Sequence, residues 1–74
     1  MNKQRRSEIK RQIEYINNII NDVQKILDDE NDYYDNIPEN LQTSSRADIS
    51  EEAIDQLTEA VDELNAALDC LRSI

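Results

Sequence analysis

Apolar residues in the first half of the chain fall at Ile9, Ile13, Ile16, Ile20, Val23 and Leu27, in alternating steps of four and three. That is a heptad repeat, with Ile13, Ile20 and Leu27 at a and Ile9, Ile16 and Val23 at d. Ile19, Ile26 and Tyr33 occupy the neighbouring g positions, so the stripe is wider than a two-stranded seam requires. Glu30 interrupts the d series near the acidic stretch "DDEND", and the run closes in Tyr33 and Tyr34. The pattern predicts a helix over about residues 3–34. A second run places Ile54, Val61 and Leu68 at a, Leu57, Leu64 and Leu71 at d, and Ala53, Ala60 and Ala67 at g. It predicts a second helix over about residues 44–73.

The two stripes match in size. A small residue once per heptad lets a neighbouring helix axis approach closely, and Ile19, Ile26 and Tyr33 supply bulk for the resulting groove. Residues 35–43 form too short a connection to return the chain for a parallel pair, so the helices should pack antiparallel. The expected fold is all-α, a single helical-hairpin domain over residues 1–74 with coiled-coil packing. Strict a-to-d layering allows Ile20 to meet either Leu57 or Leu64, and the pattern leaves both registers open.

A stripe three positions wide cannot be covered by one neighbour. Burying an Ile or Leu is worth roughly 1.5–3 kcal/mol, while ordering each residue costs about 1.5 kcal/mol, so a lone hairpin is marginal. The expected remedy is a homodimer, a four-helix bundle. Its core would draw on Ile13, Ile16, Ile19, Ile20, Val23, Ile26 and Leu27 of the first helix. Ala53, Leu57, Ala60, Val61, Leu64, Ala67, Leu68 and Leu71 would come from the second.

Composition agrees with helices: no glycine, one proline and three tyrosines as the only aromatics leave little for hairpin turns or strands. Charge adds polarity along the rod. Lys3, Arg5, Arg6, Lys10 and Arg11 oppose Glu8 alone in the first turns, whereas Lys25, Arg46 and Arg72 face sixteen acids in the remainder. Asp28, Asp29, Glu30, Asp32, Asp35 and Glu39 crowd the turn, so antiparallel pairing of two hairpins would join opposite charges. Screening beyond ~8 Å makes this a bias in orientation rather than a source of affinity. A net charge of −9 excludes duplex nucleic acid as a partner and favours a protein with a basic face, including a nucleic-acid enzyme.

In the connection, Pro38 stops the first helix and opens a short helical turn, with Ile37 and Leu41 expected to plug the end of the seam. Thr43 or Ser44 would cap the second helix, with Ala47 and Ser50 extending its a and d series backward. The rival start uses Ser50 as cap and staples Ile49 to Ile54. With the early start, Ser44, Ser45 and Arg46 at a helix N-terminus form a candidate anion or nucleotide site, and Tyr33 and Tyr34 can stack a base. Simple capping is the plainer reading of the same residues.

Little else suggests chemistry. Cys70 is the only cysteine and the chain has no histidine, so neither a disulfide nor an activated thiol is expected. "DDENDYYD" has the oxygens of a calcium loop without its central glycine or spaced terminal glutamate, and no metal or cofactor is expected. The basic start "KQRRSEIKRQ" lacks interleaved aromatics and reads as a solvated helix end. No apolar run reaches a membrane span and no signal peptide is recognised, which leads to a cytoplasmic expectation.

The segment "DNIPENLQTSSR", followed by "EEAIDQLTEAVDEL", resembles short acidic proteins of bacterial phages and mobile elements. These share a P-E-N-L-Q-x-S-x-R connection and an Ala/Glu/Leu-rich second helix. The match falls on Pro38, Glu39, Asn40, Leu41, Gln42, Ser44 and Arg46, within a resemblance over about the last 45 residues. It implies a phage or prophage setting and no particular chemistry. The expected function is non-enzymatic binding, as a small phage-encoded inhibitor or adaptor of a host protein, for example one of host defence. Glu51, Glu52, Asp55, Glu59, Asp62 and Glu63 would form the contact surface. Two alternatives remain: a sponge for a nucleotide second messenger at the turn, and a structural assembly factor.

Overall fold

A computed structural model describes residues 1–41 and 44–74 as two long antiparallel helices. Helix α1 spans Lys3–Asp35, a single 3-10 turn spans Glu39–Leu41, and helix α2 spans Ser45–Arg72; among the described residues there is no strand. The molecule measures 59 × 14 × 13 Å. The rod is longer than the ~45 Å of a thirty-residue helix, because α1 runs to 33 residues and the turn projects beyond it.

Each helix begins on a side-chain cap. Asn2 holds an extended backbone and its Oδ1 accepts from the Arg5 N–H at 2.8 Å. Ser44 does the same for α2, its Oγ accepting from the Ala47 N–H at 3.3 Å. The early start is therefore the observed one, and Ser50 is an interior residue of α2 rather than its cap. Thr43, the other candidate cap, and Gln42 of the quoted connection lie outside the described residues.

The chain reverses without glycine. The Asn36 side chain donates to the Asp32 carbonyl at 2.8 Å, closing α1. Three tight links then carry the turn: Ile37 N–H to Tyr34 O, Leu41 N–H to Pro38 O, and Ser44 N–H to Leu41 O, at 3.1, 2.8 and 3.0 Å. No described residue has positive φ. Pro38 suits this path, since its fixed φ fits a helical turn and its missing N–H is not needed. Ile37 is buried and plugs the seam as expected, but Leu41 is 44% exposed and does not. Its backbone is committed to the two turn links, which leaves its side chain outside the helix pair.

At the open end Arg6 ties the termini together. Its guanidinium donates to the Ile74 main-chain oxygen at 3.1 Å and, at 3.4 Å, to Met1. Charges on α1 oppose its own dipole, since its first turn has no acid and its last turn no base. They suit α2 instead: the cations lie by the negative C-terminal end of α2, the acids by its positive N-terminal end.

Leu27, Ile37, Ala47, Val61 and Leu68 are buried, and Ile9, Ile13, Ile16, Ile20, Val23, Ala53, Ile54, Leu57, Ala60, Leu64 and Leu71 are half-buried. Ile9 and Leu71 line one groove at the open end, while Glu30 and Ser50 line another near the turn.

The expected insertion of g-position bulk into alanine notches is a correction. Ile19 is 47%, Ile26 55% and Tyr33 43% exposed, and Ala67 is also exposed. A single neighbour covers a and d, and leaves g at the edge. Among the described residues one polar group is trapped as well: Ser50 is 1% exposed and its Oγ has no hydrogen-bond partner.

Two outcomes follow for stability. Leu68→Ala removes a buried side chain from a thin seam and should cost about 2–5 kcal/mol, whereas exposed Asn18→Ala should stay within about 0.5 kcal/mol. Ser50→Ala removes an unpaired buried hydroxyl and adds helix propensity, so it should stabilise by about 1 kcal/mol. Thermal and urea unfolding followed by circular dichroism checks both; a destabilised Ser50→Ala would show that the hydroxyl is satisfied.

Candidate binding surfaces

Three surfaces collect the residues singled out by the sequence. The first is a groove of about 550 Å³ at the turn, lined by Tyr33, Asn36, Ile37, Pro38, Leu41, Ser44, Ser45 and Arg46. Tyr33 and the Ser44–Arg46 segment therefore share one groove. Tyr34 is half-buried and does not line it. The Ser44 hydroxyl is occupied in capping. Arg46 is the only cation in the lining, and Asp32, Asp35 and Glu39 are exposed around it, so the local field works against a phosphate.

The second surface is the outer face of α2. Glu52, Asp55, Glu59 and Asp62 recur in steps of three and four at exposed positions, which aligns them along the helix. Glu51 and Glu63 are also exposed and flank this row on opposite sides. The row continues to Asp48 and Asp69, both exposed, and no Lys or Arg stands on it between them. Those two aspartates were missed in reading the sequence, although they share the b position with Asp55 and Asp62. Like charges three and four residues apart on a helix cost about 0.2–0.5 kcal/mol per pair. The row thus weakens α2 beyond its first turn.

The third surface is apolar. In an antiparallel pair the g positions of both helices border the same edge of the seam, and the e positions border the other. Here the e edge carries Lys10, Asn17, Gln24 and Asn31 with Glu51, Thr58, Asn65 and Arg72. The g edge carries Ile19, Ile26 and Tyr33 with Ala53, Ala60 and Ala67, joined on its outer side by exposed Tyr15 and Ile49. The g positions nearer the two ends are polar, at Arg5, Gln12 and Arg46, so the hairpin has one wet edge and one that is dry along its middle.

Other features resolve simply. The calcium-like stretch Asp28–Asp35 is continuous helix rather than a loop, and among the described residues no group of three His, Cys, Asp or Glu is placed to hold a metal ion. Cys70 is exposed. No described helix is long and apolar enough to cross a membrane. No family model, no curated protein and no solved structure matches the chain.

Proposed function

We propose that the hairpin is a non-enzymatic binding module whose acidic α2 row docks on a basic protein surface. The setting we infer is the cytoplasm of a bacterial host, where it would act as a small phage-encoded inhibitor or adaptor. One observation carries the reading: a line of exposed carboxylates from Asp48 to Asp69, broken once at Ala66, that no cation of its own helix face balances. Self-repulsion of this kind lowers stability, and a basic partner would relieve it. The length of the row, about 32 Å at 1.5 Å per residue, fits an extended basic groove such as that of a nucleic-acid enzyme. Such contacts steer association and respond to salt more than they add affinity.

Glu52, Asp55, Glu59 and Asp62 replaced together by lysine should abolish capture of the partner from host lysate, read by affinity purification and mass spectrometry. The native chain should lose its partner progressively as salt rises from 50 to about 500 mM. Capture unchanged by the fourfold reversal, in a variant that keeps its helical circular dichroism, contradicts the proposal.

A second reading rests on the turn groove, where Tyr33, Ser44, Ser45 and Arg46 converge. It makes the protein a sponge for a nucleotide signal. Calorimetry with a panel of cyclic dinucleotides would support it by heat that Arg46→Ala removes. Absence of heat and of any thermal shift across the panel would eliminate it.

A further inference from the structure

The dry edge of the hairpin is unfinished in a way the acidic row is not. Ile19 and Ile26 are each about half exposed, in register one heptad apart, and Tyr33 continues the line. The opposite edge of the same seam offers polar residues at every corresponding position. One edge is therefore built for water and the other for a second layer of helices. The apolar line from Ile19 to Tyr33 is about 21 Å long at 1.5 Å per residue, and exposed Tyr15 and Ile49 widen it.

Charge identifies what fits. A second copy laid on this face can point either way. With both turns at the same end, α1 lies against the partner's α2, the acidic clusters around Asp28–Asp35 gather at one end of the bundle and the cationic first turns gather at the other. With the turns at opposite ends, α1 lies against the partner's α1, and the cluster of Lys3, Arg5, Arg6, Lys10 and Arg11 comes beside the partner's acidic end. Arg5 is itself a g residue and points the cationic end onto the face. The α1 charges that oppose their own helix dipole are then placed well for both neighbours, α2 and the partner's α1.

We propose that the g face of the hairpin seats a second copy of this chain, packed with its turn at the opposite end, to form a four-helix bundle. The outer α2 row stays free in this arrangement, so the dimer and the acidic docking surface stand or fall separately.

Light scattering on the full chain should give about twice the 8.6 kDa chain mass at tens of micromolar. Ile19→Ser with Ile26→Ser should weaken dimerisation at least tenfold, while Asn17→Ser with Gln24→Ser on the wet edge should leave it unchanged. Orientation is read in a Cys70→Ser background, by mixing a Glu8→Cys chain with an Asp29→Cys chain and adding a short bismaleimide. Covalent dimers carrying one of each chain are expected, because full overlap of opposed hairpins brings these positions together. A dimeric mass without that mixed product overturns the orientation. A dimer that survives the Ile19/Ile26 change overturns the face. A monomer up to millimolar concentration overturns the proposal altogether and leaves the face to a different protein.

Discussion

Neither α1 nor α2 can hide its apolar stripe by itself, and the seam between them is the constraint from which the rest of the structure follows. Helix propensity alone leaves such rods marginal in water, so each depends on the neighbour for its order. The seam is thin: among the described residues, the buried apolar side chains are Leu27, Ile37, Ala47, Val61 and Leu68. It also contains a polar level, where Ser50 and Glu30 share the groove near the turn. A fold with so little reserve responds strongly to single changes along the seam and to anything that covers its open edge.

Electrostatics select the arrangement more than they stabilise it. The charges of α1 are reversed with respect to its own dipole, a pattern that makes sense only beside antiparallel neighbours. Arg6, reaching the main-chain oxygen of Ile74, is the most direct expression of it. The acids of α2 are different in kind. They are correctly placed only in its first turn, at Asp48, and farther along they repel one another on an exposed face. Charge that organises the hairpin lies on α1, and charge without an internal role lies on α2.

Much of this was legible in the order of residues. The alternating three- and four-residue steps located both helices to within a residue or two, and the early start of α2 that Ala47 and Ser50 supported is the observed one, with Ser44 of the two candidates as cap. Ile37 was recognisable as a plug because it stayed in phase with the heptad after Pro38. Leu41 shared that phase but not the outcome, since hydrogen bonding in the turn, invisible to periodicity, fixed its backbone outside the seam. The register is not fixed by the order of residues, because a heptad repeat looks the same when one helix slides seven residues along the other, so periodicity allows Ile20 to meet either Leu57 or Leu64. Complementary sizes at g suggested contact within one hairpin, but the geometry of a two-helix seam places g at its edge. At the turn, Tyr33, Ser44, Ser45 and Arg46 line one groove, whereas heptad phase turns half-buried Tyr34 toward the seam.

Pro38 folds the chain back so that the first turn of α1 lies beside the last turn of α2, where Lys3 and Arg72 line a common groove. Spin labels on cysteines at positions 3 and 72, in a Cys70→Ser background diluted with unlabelled chain, measure this distance directly by pulsed electron resonance. The hairpin predicts a separation on the order of 20 Å, one interaxial spacing plus the label arms. A distance near 100 Å, the length of one continuous helix of this chain, would contradict the account.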